Sequence, residues 1–157
     1  MNNNTVILSL ENPTFSTYLI VSSLLVLKMM GLIVLTIYHR ITKKIFISEE
    51  DTAMSGGTVG SDQDIDRVKR ALQNDLENIP AFLAISLAYL WVPVPDWAVH
   101  ILYYAFLILR SLHSFVYAVY VIPQPTRALC FVLSFAILGY MCSHVFVYAF
   151  SVGYFAK

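Results

Sequence analysis

From Thr14 to Tyr38 the only charged side chain is Lys28. A helix through that segment is ~37 Å long at 1.5 Å per residue, more than the ~30 Å of a bilayer's hydrocarbon core. Lipid offers no partner to backbone amides, so a run of this kind crosses as a helix. The whole chain conforms to that constraint: 58% of it is hydrophobic and 13% charged, where soluble domains carry about 25% charged residues. At ~20 residues per crossing, 157 residues hold about four spans, short connections and one longer loop, without a separate soluble domain. The expected fold is an all-α membrane protein, a four-transmembrane-helix bundle forming a single domain over 1–157. Its helices fall at about 14–38, 62–91, 97–120 and 126–154, with the longer loop at about 39–61.

The flanks set topology. Met1–Pro13 is polar and holds no Lys or Arg, so it lacks the basic n-region of a cleaved secretory signal and the first helix is retained. His39, Arg40, Lys43 and Lys44 follow that helix, and Arg127 opens the last one. By the positive-inside rule both face the cytosol, with the VPVPD turn and both termini opposite and Lys157 as a weak counterweight. Ile45–Gln63, rich in Gly, Ser and acids, reads as a mobile loop. Pro80 removes one backbone donor and predicts a bend over Leu76–Pro80. Tyr89, Trp91 and Trp97 suit a membrane interface, and Asp96 is the expected N-cap of the third helix.

Several functions are excluded. Basic residues are interspersed with Glu49, Glu50, Asp51, Asp62, Asp64 and Asp66, which argues against nucleic-acid binding. His39, His100 and His144 have no companion at metal-ligand spacing. Cys130 and Cys142 lie in an apolar segment without redox or metal spacing and read as small buried hydrophobes.

Two polar stripes stand out from this background. In DRVKRALQNDLENIP, Arg67, Arg70, Asn74 and Glu77 share one helix face within roughly an 80° arc. In the third helix Arg110, His113 and Tyr117 repeat that spacing among apolar residues. An arginine facing lipid costs about 2.5 to 3.5 kcal/mol on an insertion scale, so Arg110 needs a partner: Glu77 or Asp75 within the chain, or a neighbouring subunit. The residues alone leave two readings open for each stripe. The first stripe is either a solvated helix end or a ligand wall, and the second a structural polar network or a ligand site. Lys28 reads as an interhelical pair.

The run RVKRALQNDLENIPAFL, with RITKKIFISEED before it and RSLHSFVYAVYVIPQPTRALCF after it, resembles the microsomal glutathione transferases of the MAPEG superfamily, membrane-associated proteins in eicosanoid and glutathione metabolism. The resemblance covers roughly Lys28 to Phe131, with NDLEN after an arginine its most specific part. It implies a homotrimer of four-helix subunits in the endoplasmic reticulum membrane, the mitochondrial outer membrane being the family's other location. Glutathione sites would lie between subunits near the cytosolic side. The matching positions are Arg40, Arg70, Asn74, Glu77, Arg110, His113, Tyr117 and Arg127.

Glutathione carries two carboxylates, an ammonium and a thiol, and these residue types complement it. Under the resemblance Arg40, Arg70 and His113 hold carboxylates, Glu77 the ammonium, and Asn74 and Tyr117 the amides. A thiol of pKa about 8.5 is mostly protonated at neutral pH. Arg127, at the positive end of the last helix, is therefore assigned to thiolate activation. The implied activity is conjugation of glutathione to hydrophobic electrophiles entering from the bilayer, together with reduction of lipid hydroperoxides. The alternatives are a glutathione-dependent prostaglandin E synthase-type isomerase and a non-catalytic lipid-binding scaffold. Ala128 and Phe131 stand where the synthase branch has serine and tyrosine, and Gln73 where it has arginine, which disfavours the isomerase. Thr52 stands where the vertebrate transferase branch has a stress-sensing cysteine, so activation through that thiol is not carried over.

Overall fold

A computed structural model of the chain describes residues 7–155. Part of the polar lead Met1–Pro13, and Lys157, lie outside the described residues. In chain order the elements are α1 (Pro13–Lys43), β1 (Ile45–Phe46), α2 (Glu49–Ser55), β2 (Thr58–Val59), α3 (Gln63–Tyr89), α4 (Asp96–Ser114), a π-helical stretch Phe115–Val119 that continues α4, and α5 (Thr126–Phe155).

α1 begins where Pro13 presets the first helical residue and Asn12 caps it, accepting the Thr14 amide at 3.1 Å. It ends at Lys44, whose φ of 54° is left-handed and turns its amide back onto the carbonyls of Arg40 and Ile41. α3 begins at Asp62, whose carboxylate accepts from the amides of Asp64 and Ile65. Between these caps lies the segment read as a mobile loop, and it contains short regular elements. β1 and β2 pair in parallel, Ile45 with Thr58 and Phe46 with Val59, around the short helix α2. Two-residue strands carry no periodicity to read, and their ladder needs only backbone. Gly57, at φ +146°, makes the return: a Cβ there would run into the Lys44 carbonyl.

Three helices among the described residues are long and apolar enough to cross a membrane: Pro13–Lys43, Asp96–Val119 and Thr126–Tyr154. α3 is also long, at 27 residues, but its charged first half keeps it out of that set. It continues as helix through Pro80. The third helix departs from expectation at both ends. Pro95, extended at φ −61° and ψ 140°, takes the N-cap position without a side-chain bond, so Asp96 is the first helical residue and acts on the dipole instead. Beyond Ser114 the helix widens, and the Tyr120 amide bonds the Phe115 carbonyl at 2.9 Å.

α1 packs on α3 and α4, and α5 packs on α4 and α3. Between lipid-embedded helices the hydrophobic effect is weak and close packing replaces it. The central cluster joins Val21 and Leu25 of α1, Ile79 and Phe82 of α3, Tyr103 and Phe106 of α4, and Leu138 and Met141 of α5. Phe82 stacks on Phe106 at 3.8 Å between ring centroids, a contact worth about 0.5–1.5 kcal/mol. Two histidines read as structural make interhelical bonds: His100 to Thr17 at 2.8 Å and His144 to Tyr89 at 3.0 Å. Cys130 is buried as expected, whereas Cys142 is exposed. α5 buries the narrow stripe Cys130, Ser134, Leu138 and Met141, and position 142 is rotated ~100° from it.

Lys43 closes the α1–α3 end of the bundle with ion pairs of 2.5 Å to both Asp62 and Asp64. Hydrogen bonds from Lys43 are the first cause holding both carboxyls below their ordinary range. A depressed carboxylate contributes stability above its unfolded pKa of about 3.9 and loses it as pH falls through the lower folded value. Amide-exchange protection at residues 62–66 should therefore fall as pH drops from about 5 to about 2, and Lys43→Met should remove most of that dependence. Protection that is flat with pH in the wild type would contradict the assignment.

Candidate functional site

α3 buries Ile65, Val68, Ala71, Ile79 and Phe82 along one stripe, and in the middle of that stripe stands Asp75, fully buried. Its Oδ2 accepts from Lys28 Nζ of α1 at 2.6 Å and from Ser114 Oγ of α4 at 3.0 Å. Its Oδ1 accepts from Arg110 Nη2 at 2.6 Å. The same Nη2 reaches Asn74 Oδ1 at 2.6 Å. Arg110 is also fully buried. Removing such ions from water costs several kcal/mol each, and the carboxylate shared by two cations offsets part of that cost.

Beside this cluster open two cavities, of about 360 Å³ and 240 Å³, that share Asn74, His113 and Tyr117 as a common wall. The larger is completed by Gln124, Arg127, Ala128 and Phe131, the smaller by Arg70, Gln73 and Glu77. Together they fall in the range of about 300–1,000 Å³ usual for small-molecule sites. Tyr117 is in contact with its neighbours on several sides. Arg70 Nε donates to its hydroxyl at 3.2 Å, the Arg127 guanidinium lies 4.7 Å from its ring centroid, and the His113 ring stacks beside it at 5.9 Å.

Buried polar atoms without a partner concentrate here. Among the described residues they are Ser22 Oγ, Arg110 Nε and Nη1, His113 Nδ1 and Arg127 Nε. Four of those five atoms belong to three residues at or directly behind the cavities. Native interiors satisfy nearly all such groups, and of these atoms His113 Nδ1 and Arg127 Nε belong to cavity-lining residues while the two of Arg110 lie behind the wall. The balance of charge here is positive: Lys28 and Arg110 exceed Asp75 by one cation, Arg70 and Arg127 add two more, and Glu77 is the single anion lining either cavity.

The MAPEG family model matches residues 18–147. The chain belongs to the MAPEG family. It is similar to microsomal glutathione S-transferase 1 of Bos taurus, 31% identical over 134 residues that cover 82% of this chain and 86% of that protein. The corresponding Sus scrofa protein is 32% identical over 135 residues, with the same coverage. Prostaglandin E synthase of Canis lupus familiaris is 34% identical over 119 residues, covering 74% of this chain and 77% of that protein. Together with its three apolar helices, membership makes the chain a multi-pass membrane protein.

Within this MAPEG protein, six of the residues singled out in the sequence come together: Arg70, Asn74, Glu77, His113, Tyr117 and Arg127 all line one cavity or both. Arg110 stands behind the wall and touches it through Asn74. Arg40 lines neither cavity and donates to the Ile45 carbonyl at 3.4 Å. Arg67 pairs with Asp64 at 3.2 Å as an ordinary helix-end contact. Of the two carboxylates open to Arg110, Asp75 takes it, while Glu77 is exposed and accepts from Gln73 Nε2 at 3.2 Å. Gln124, which the sequence reading passed over, lies between two prolines in a segment with no periodicity.

Asp75→Ala leaves Lys28 and Arg110 buried without an anion and should cost about 3–5 kcal/mol. Arg110→Met leaves Lys28 and Asp75 as a balanced pair and should cost clearly less. Thermal unfolding of the detergent-solubilised protein separates the two; equal losses would rule out Asp75 as the shared counter-ion.

Proposed function

We propose that the protein is a membrane-bound glutathione transferase. The observation that carries this reading is the convergence of Arg70, Asn74, Glu77, His113, Tyr117 and Arg127 on two cavities whose buried donors lack partners. The donor set fits the tripeptide. Guanidiniums and His113 suit its carboxylates, Glu77 its ammonium, and Asn74 and Tyr117 its amides. Arg127 opens α5, where its charge and the helix dipole both favour an anion, so it is assigned to holding the sulfur as thiolate. The ligand's chemistry is then nucleophilic: the thiolate sulfur forms a bond to the electrophilic carbon of a hydrophobic substrate, which either expels its leaving group as an anion or, at an activated double bond, takes up a proton from water on the neighbouring carbon. Ala128 and Phe131 beside Arg127 offer that substrate an apolar wall without a hydroxyl, which favours conjugation over the prostaglandin isomerase. Reduction of lipid hydroperoxides is a second activity of the same thiolate in this reading, two glutathiones being oxidised to the disulfide as the hydroperoxide is reduced to the alcohol and water.

The fourth long helix and the assembly belong to the same proposal. The Lys28–Asp75 pair puts this part of α3 level with the middle of α1, the apolar helix Pro13–Lys43. Arg70, Gln73 and Glu77 are exposed on the single chain, and at that depth a charge facing lipid costs about 2.5–3.5 kcal/mol. Covering that face with further copies makes α3 a fourth transmembrane helix of a closed homotrimer, in the endoplasmic reticulum membrane with the 39–61 segment cytosolic. Arg40, outside both cavities in one chain, reaches the ligand only through such an assembly.

Detergent-purified protein should conjugate glutathione to chlorodinitrobenzene, and Arg127→Ala should lower turnover at least about a hundredfold while glutathione still binds. Binding without detectable wild-type conjugation would favour the scaffold reading. Native mass spectrometry should give three copies per complex; a fully active monomer would remove the assembly from the proposal.

A further inference from the structure

Two guanidiniums of the cavities are held by one aromatic ring. Arg70 reaches it from α3 by an Nε bond of 3.2 Å to the Tyr117 hydroxyl. Arg127 reaches it from α5, its guanidinium carbon 4.7 Å from the ring centroid, while its buried Nε has no partner. The ring is itself held in place. His113, one turn earlier on α4, stacks on it at 5.9 Å with 29° between planes, and the π-helical stretch Phe115–Val119 carries it. Such single wide turns recur at functional sites because the extra residue re-aims side chains. Tyr117 also lines both cavities.

We infer that Tyr117 is a positioning residue for both arginines, its hydroxyl fixing Arg70 in the binding half of the site and its ring face fixing Arg127 in the reactive half. The inference rests on the glutathione reading and assigns separate roles within it to two parts of one side chain. Like charges repel, and Arg70 and Arg127 would otherwise separate. Phenol oxygen and π face both attract cations from different directions, so the ring keeps the two guanidiniums on opposite sides of one wall. The charged and titratable groups facing it are Arg70 and Glu77 from α3, His113 from α4 and Arg127 from α5. Without the ring face Arg127 is free to swing, and its hold on an anionic sulfur weakens.

The two parts are separable by substitution. Tyr117→Phe keeps the face and loses the hydroxyl, so it should raise the KM for glutathione about tenfold and leave the pH position of kcat unmoved. Tyr117→Leu loses both and should also move the thiol ionisation of bound glutathione upward by about one pH unit. That ionisation is read from the ultraviolet absorbance of the thiolate at saturating glutathione and from the pH profile of kcat. Arg70→Lys should reproduce the KM effect of Tyr117→Phe, and thermal melts confirm that each variant folds. A Leu variant with the wild-type ionisation, or a Phe variant shifted as far as Leu, would overturn the inference. Absence of any thiolate signal in the wild type would instead sink the glutathione reading on which it rests.

Discussion

One buried carboxylate sets how three helices stand against each other. Asp75 receives Lys28 from α1, Arg110 and Ser114 from α4, and belongs itself to α3. Apolar side chains in a bilayer pack almost as well against lipid as against another helix, so dispersion alone specifies register weakly. An ion cluster specifies it strongly. Sliding α3 by one residue turns Asp75 about 100° away and leaves two cations without a counter-charge. The apolar layers follow from that register: Phe82 lies two turns beyond Asp75, where it meets Phe106 and Tyr103.

The site follows from the same register. Asn74 precedes Asp75 and so lies about 100° round the helix, on the edge between the buried stripe and the exposed one. Arg110 Nη2 donates to both residues. A guanidinium only donates, so the side-chain oxygen of Asn74 must face Arg110, which leaves its amide nitrogen as the group available to the cavities. The exposed stripe of Arg70, Gln73 and Glu77 comes next around the helix. The anchoring face and the cavity-lining face of α3 are thus neighbours on one cylinder, coupled through a single arginine.

Much of this was legible from residue order. Length and hydropathy located the long helices, and the i, i+3 spacing of Arg110 and His113 placed both on one face of α4, with Tyr117 carried on the π-helical stretch that follows. Other parts were not. The polar stripe through Arg67, Arg70, Asn74 and Glu77 does not include Asp75, which belongs to the apolar stripe of Val68, Ala71 and Ile79. A carboxylate in that stripe, opposite a lone lysine and a lone arginine in apolar helices, was the available signal. Spacing could not choose between Asp75 and Glu77, because they are only two residues apart and choosing requires the rotation of α3 against α4. The β1–α2–β2 connection and the wide turn at Phe115–Val119 were invisible for another reason. Both are backbone arrangements that no side-chain pattern encodes.

The charge distribution narrows what can occupy the two cavities and from where it arrives. Arg70 and Arg127 line them, the excess cation of the Lys28–Asp75–Arg110 cluster lies behind Asn74, and Glu77 is the only lining anion. A neutral, wholly apolar molecule gains nothing from that field, whereas a small anion with one cationic end matches it. The larger cavity ends on Ala128 and Phe131, and Leu129 and Val132 beside them are exposed on α5. A polar ligand therefore has its complement on the α3 side, and the proposed hydrophobic substrate would approach along the apolar surface of α5. In the proposed reading the two meet beside Arg127, the cationic lining residue carried by α5 itself.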